Sequence, residues 1–115
     1  MKITFLGHAS LLIETAGKKI MVDPFITPNP KANAIDVSLL QADYILVTHA
    51  HQDHIQDVEL IAKQNEATIV ANAEIATFYA NKGFKSHPMN HGGNWNFDFG
   101  KLKAVNAIHS SSFPD

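Results

Sequence analysis

The sequence has no cysteine and no arginine. The first absence excludes disulfides, thiolate nucleophiles and thiolate metal sites, so any zinc must be held by histidine and carboxylate. The second removes the planar two-pronged clamp for carboxylates and phosphates; all 9 cationic side chains are lysines. Long apolar runs are also missing. Nothing approaches the roughly 20 residues that cross a bilayer, and the opening MKITFLGHASLLIET lacks the apolar stretch and cleavage site of a secretory leader. A cytoplasmic location is the expectation. A formal net charge of −2 offers no electrostatic footprint for nucleic acid or an anionic membrane, and neither is expected as a partner. With 45% apolar and 17% charged residues over 115 positions, the chain reads as one folded domain, residues 1–115.

Short apolar stretches over 2–6 and 10–15 predict two strands, and Ala16-Gly17-Lys18 a hairpin turn into a third over 19–22. The Pro/Asn-rich segment 27–34 is an exposed loop. Asp36 is placed to cap a short helix over 36–41. The run YILV over 44–47 predicts a buried strand, followed by a helix over 56–64, a strand over 68–71 and a helix over 73–82 stopped by Gly83. Further strands are expected over 84–87, 95–99 and 102–108, the second with Trp95, Phe97 and Phe99 on one buried face. Antiparallel strands followed by a strand–helix–strand–helix unit indicate a layered α/β domain.

What the chain has in excess is histidine, 7 in all. Three of them fall in THAHQDH, residues 48–54, at the junction of a buried strand and a helix. Alternate residues of extended chain point to the same side, so His49 and His51 face one point. Asp53 and His54 follow as the chain turns, and face a point nearby. Imidazoles crowded like this repel one another when charged, which favours a metal or catalytic role over a solvated polar loop. Imidazole nitrogens and carboxylate oxygens suit zinc and its first-row neighbours.

HAHQDH resembles the HxHxDH signature of the metallo-β-lactamase superfamily. The opening ITFLGHASLLIET, the following IMVDPF, the MNHGG segment and the closing AIHSSS are similar to its metal-dependent hydrolases, in particular the ascorbate-6-phosphate lactonase-like enzymes. The resemblance implies a metallo-β-lactamase-like αββα sandwich, of which this chain is the N-terminal half: a mixed β-sheet with helices on one face. It assigns His49, His51 and His109 to one metal, and Asp53 and His54 to a second. His109 ends the predicted strand 102–108 and reaches the site from there. Asp23 corresponds to an aspartate that orients the ligand loop through hydrogen bonds. His8 either faces the site and its substrate or serves local turn bonds. His91 lies in a glycine-rich loop bordering the pocket, Ser110 to Ser112 line its mouth or form a polar loop, and His87 is structural.

The implied activity is a metal-dependent hydrolase using a metal-activated water on an ester, lactone or phosphoester bond of a small molecule, with Asp53 as the catalytic residue that positions the nucleophile and can accept a proton from it. Zn²⁺, as one or two ions, is the expected cofactor, with Mn²⁺ or another divalent metal as the alternative. The family's later aspartate shared between the metals, and its later histidine on the second, have no counterpart here. A three-histidine, one-metal centre is then the most this chain is expected to offer alone. One sheet face is expected to be bare, to be covered by the missing C-terminal half or by a second copy. The alternative reading is a truncated or inactive metal-binding half-domain without turnover.

Overall fold

The computed structural model describes residues 1–113. A six-stranded sheet runs in chain order: β1 (Lys2–Gly7), β2 (Ser10–Thr15), β3 (Lys18–Val22), β4 (Tyr44–Leu46), β5 (Thr68–Asn72) and β6 (Ser86–Met89). The first three strands are antiparallel hairpins, and β3 to β6 pair in parallel. Parallel neighbours need a crossover; residues 23–43, with two 3-10 turns, supply it between β3 and β4, and helices supply the next two. They are α1 (Gln52–Ile55), α2 (Val58–Asn65) and α3 (Ala73–Asn81). Asn72 caps α3 by accepting the Ile75 amide at 3.0 Å. Asp36 caps only a single 3-10 turn, Val37–Leu39, shorter than the helix expected over 36–41.

Strand alternation divides the apolar side chains between two faces. Met21, Ile45 and Ile69 are paired across three strands and fully buried. They pack with Val58, Ile61, Ile75 and Tyr79 from the helices, making one continuous core on one side of the sheet. This is the expected mixed sheet with helices on one face.

The other face is partly covered by a ribbon of β7 (Asn94–Phe97) and β8 (Gly100–Lys103). Phe97 packs edge-on against Tyr44, with centroids 5.5 Å apart, and against His87 at 4.9 Å. Asp98 accepts from the Tyr44 hydroxyl at 2.9 Å and pairs with Lys18 at 3.3 Å. His87, expected to be structural, packs against the rings of Trp95 and Phe97. The face is not wholly bare, yet Ile3 and Phe5 of the edge strand β1 remain 60% and 68% exposed.

Two strand expectations are corrected. The strand over 102–108 ends at Lys103, because Ala104 closes the ribbon with Gly92 and Gly93 and no further strand lies alongside. Apolar content makes a strand only where an edge is there to pair with. Trp95 is 54% exposed, so the strand over 95–99 has no buried face of the kind expected. Its ribbon partner buries little of the indole, against which the His87 ring packs at 5.1 Å.

This division predicts separable stabilities. Ile69→Ala should cost about 2–5 kcal/mol of global stability in denaturant unfolding. Phe97→Ala should instead abolish amide-exchange protection in β7 and β8 while leaving that of β4 and β5 unchanged.

Candidate metal centre

In parallel α/β sheets the loops beyond the strands' C-terminal ends gather into one crevice. Here β3 ends into Asp23, β4 ends into Thr48 and His49, and the β1–β2 turn lies at the same end because Leu11 pairs with Val22. His8, Asp23 and residues 48–54 are therefore neighbours by topology.

Asp23 organises the crevice. It is 3% exposed, in a left-handed backbone conformation with φ of +42°. One carboxylate oxygen accepts the Thr48 amide at 2.8 Å; the other accepts the Thr48 hydroxyl at 2.6 Å and faces His54 Nδ1 at 2.9 Å. A carboxylate is acceptor-only, so these contacts fix the protons. The Thr48 hydroxyl gives its hydrogen to Asp23, and at 2.9 Å it then accepts from His49 Nδ1. Nδ1 carries the proton in both His49 and His54, and each Nε2 presents a lone pair.

The lone pair of His49 Nε2 is buried and has no hydrogen-bond partner. Such an orphan costs free energy unless something occupies it. Around it stand His51 and His109, with ring centroids 4.6 and 4.9 Å away, and His109 Nε2 lies 3.2 Å from His51 Nδ1. One nitrogen from each of the three lies within 4.8 Å of the others. Three imidazole nitrogens converging on one point fit a divalent metal with an open position. His109 arrives on an extended segment instead of a strand end, steadied where Ser111 Oγ accepts the Ala50 amide at 3.3 Å.

Asp53 and His54 face a second point. His54 Nε2 lies 3.8 Å from Asp53 Oδ2, which is also 2.9 Å from His8 Nε2. The hydrogen bond from His8 holds the Asp53 carboxyl below its ordinary value, against a smaller opposing effect of burial. His49 is also shifted down, first by burial and then by the neighbouring His54 and His51; Asp23 opposes them. His91 is not part of either cluster. It lines a mainly apolar cavity of about 310 Å³ on the ribbon side of the sheet, with Val22, Leu46, Val70 and Leu102.

Three supporting residues were missed by the sequence reading. Thr48 relays Asp23 to His49. Ser10, fully buried in an apolar strand, donates to the Asp23 carbonyl at 2.7 Å and accepts the Phe25 amide at 2.9 Å. Asp57, 3% exposed, accepts the amides of Ile26 and Thr27 at 2.6 and 3.0 Å. It ties the loop after β3 to the start of α2. A polar residue in an apolar strand was the one available signal, at Ser10.

The family profile of the metallo-beta-lactamase superfamily matches residues 3–111. A UPF0173 metal-dependent hydrolase of Flavobacterium johnsoniae is 72% identical over 115 residues, covering 100% of this chain and 51% of that protein. One of Exiguobacterium is 53% identical over 98% of this chain and 50% of its own length. The chain thus spans about half the length of the curated relatives it matches. Among solved structures, a metallo hydrolase of the archaeon Ignicoccus hospitalis superposes with a TM-score of 0.85 at 31% identity, over 95% of this chain and 49% of that one. An isothiocyanate hydrolase from Delia radicum gut bacteria shares the fold, with a TM-score of 0.62 at 22% identity, over 84% and 44%.

Two outcomes follow from this geometry. Asp23→Asn puts an amide donor where two donors already point; it should cost about 1–3 kcal/mol and weaken metal binding about 10–100-fold, read by denaturant unfolding and chelator competition. A histidine whose folded pKa lies below its ordinary 6.5 contributes stability that is full above that value and is lost as pH falls through it. The urea midpoint of the metal-free chain should therefore drop between pH 7.5 and 5, and drop less in His49→Gln.

Proposed function

Because the chain belongs to the metallo-beta-lactamase superfamily, we propose that it carries the metal-binding half of a hydrolase acting on a small ester, lactone or phosphoester. The observation that carries this reading is the buried, unpartnered Nε2 of His49, facing His51 and His109. These three would hold the ion, with Zn²⁺ the first candidate for a neutral three-imidazole set and Mn²⁺ the second. When bound, the metal supplies Lewis acidity, which acidifies a water and polarises the bond to be cleaved.

The chain's own residues then have distinct tasks. Asp23, through Thr48, keeps His49 in the tautomer that offers Nε2. Asp53 stays ionised because His8 donates to it, so at neutral pH it accepts a hydrogen bond from an incoming water and orients it. Its lowered pKa makes it a weak base, better suited to orienting than to removing a proton. Without arginine, an anionic substrate has only lysine, backbone amides and the metal to meet it.

The exposed Ile3 and Phe5 support a packing partner on the ribbon side of the sheet. The relatives' doubled length makes further chain the favoured occupant over a second copy. The same length supports the second reading, a metal-binding half-domain without turnover.

The test is metal content of the purified chain, followed by hydrolysis of 4-nitrophenyl acetate, a simple lactone and bis(4-nitrophenyl) phosphate. Metal bound with metal-dependent turnover supports the hydrolase; metal bound without turnover supports the inert half-domain. A chain that takes up no Zn²⁺ or Mn²⁺ sinks both. His49→Ala should lower affinity at the three-histidine site by at least about a hundredfold, with unchanged far-ultraviolet circular dichroism; outer ligand partners alone are worth 10–100-fold.

A further inference from the structure

The segment that carries His109 has little holding it in place. Ala104 is its last residue tied to the ribbon, donating to the Gly93 carbonyl at 2.9 Å. Beyond it, residues 105–113 make no backbone–backbone hydrogen bond among the described residues, and every one of residues 105–112 is exposed. Ordering such a stretch costs conformational entropy at each position, and exposed side chains offset little of it. Yet His109 Nε2 stands 3.2 Å from His51 Nδ1. An anchor past His109 is required to keep it there.

Phe113 is the first partly buried residue of the segment, and it packs against the main core. Its ring stacks on that of Phe78 in α3, with centroids 4.1 Å apart and planes 24° from parallel. Phe78 is itself a braced platform. It packs edge-on against the buried Tyr79 at 5.1 Å, and Lys82, one helical turn on, sets its ammonium 4.5 Å from the Phe78 centroid. Lys82 also pairs with Glu59 of α2 at 2.5 Å, so two helices support the ring. A second, longer tie lies between His109 and Phe113. Ser111 Oγ accepts the amide of Ala50, the residue between His49 and His51, at 3.3 Å. Residues 109, 111 and 113 therefore turn inward in alternation, as extended chain allows, onto His51, Ala50 and Phe78.

We propose that Phe113 is a positioning residue for the three-histidine centre: stacked on Phe78, it holds the segment so that His109 stays beside His49 and His51. This rests on the metal-dependent reading of those histidines and extends it to α3. From His109 to Phe113 the chain reaches at most about 14 Å fully extended, so a ring fixed on α3 keeps His109 on a short tether. Without that ring, His109 is held firmly from the Ala104 side alone. The effective concentration of the third imidazole at His49 and His51 then falls, although Phe113 offers no ligand atom.

The experiment compares wild type, Phe113→Ala, Phe113→Tyr, His109→Ala and the double variant of Phe113→Ala with His109→Ala, each as the 115-residue chain. In metal-free protein, the nuclear Overhauser contact between the His51 and His109 rings should be present in wild type and Phe113→Tyr and absent in Phe113→Ala. Far-ultraviolet circular dichroism should be the same in all. Affinity for the first Zn²⁺, read by chelator competition, should fall about tenfold in Phe113→Ala, the lower end for residues that act on a metal through its ligand. Phe113→Tyr keeps the stacking ring and should stay within about twofold of wild type. In the His109→Ala background, Phe113→Ala should change the affinity no further, because its effect passes through His109.

A ring contact that persists in Phe113→Ala, or is missing from wild type, overturns the proposal whatever metal is bound. Unchanged Zn²⁺ affinity in Phe113→Ala overturns it too, as does an equal loss with and without His109, the mark of a general effect on the fold. A Phe113→Tyr chain as weak as Phe113→Ala overturns the stacked ring as the anchor. Each of these leaves the three-histidine reading standing. No Zn²⁺ bound by wild type overturns this proposal and the metal-dependent reading together.

Discussion

One buried carboxylate governs the arrangement of this crevice. Asp23 is almost wholly removed from water and sits in the left-handed backbone region, which aspartate and asparagine adopt more readily than other residues with a side chain. A charge in that position persists only if its lone pairs are filled. Thr48 supplies two donors and His54 a third. Because a carboxylate can only accept, the direction of every bond in the chain Asp23–Thr48–His49 is forced, and so is the tautomer of two imidazoles. The orphaned nitrogen of His49 is the outcome of that sequence of constraints, and the metal reading depends on it.

The sheet makes the network possible. Strands β3 and β4 are parallel, so Asp23 and Thr48 emerge at the same end, and the Asp23 amide itself bonds the Leu46 carbonyl at 3.0 Å. The antiparallel β1–β2 hairpin brings His8 to that end too. Asp57 then fixes the loop after β3 against α2, and its amide bonds the Pro24 carbonyl at 3.0 Å. Groups separated by 45 positions, His8 and Asp53, meet at hydrogen-bond distance as a result. His8 sits in the β1–β2 turn and Asp53 on the short α1, and the buried Ser10 beside the first ties its turn to Asp23 and Phe25.

The parts of this organisation that are local were readable from residue order. The HAHQDH segment is contiguous, and its start after the strand at Tyr44–Leu46 follows from apolar patterning; the helix expected to follow over 56–64 is found as Val58–Asn65, while the turn Gln52–Ile55 that carries Asp53 and His54 was not foreseen. Hairpins and α3 followed from turn and cap residues. What stayed hidden is long-range. Thr48 and Asp57 are ordinary polar letters until the fold brings them to Asp23 and to the loop after β3, and only Ser10, polar at the start of an apolar strand, stood out from its neighbours. The expected strand over 102–108 failed for the complementary reason: Val105 and Ile108 carry strand-forming side chains, but strand formation is settled by a partner edge, and here they are 70% and 107% exposed. His109 nevertheless reaches His51, because the path of an extended segment is set by where it is anchored, not by its hydrogen-bonded regularity.

The imidazole cluster sets stability against function. Four histidine rings, His49, His51, His54 and His109, crowd within centroid distances of 4.0 to 4.9 Å around His49. Burial, and then the neighbouring His54 and His51, hold the pKa of His49 below its ordinary value, so this ring favours its neutral form. The buried Nε2 of His49, with no hydrogen-bond partner, is a deficit that the core of Met21, Ile45 and Ile69 has to offset. A cation at the centre would fill the His49 lone pair and oppose protonation of the ring; metal binding there would draw part of its free energy from relieving a frustration that Asp23, through Thr48, builds in beforehand.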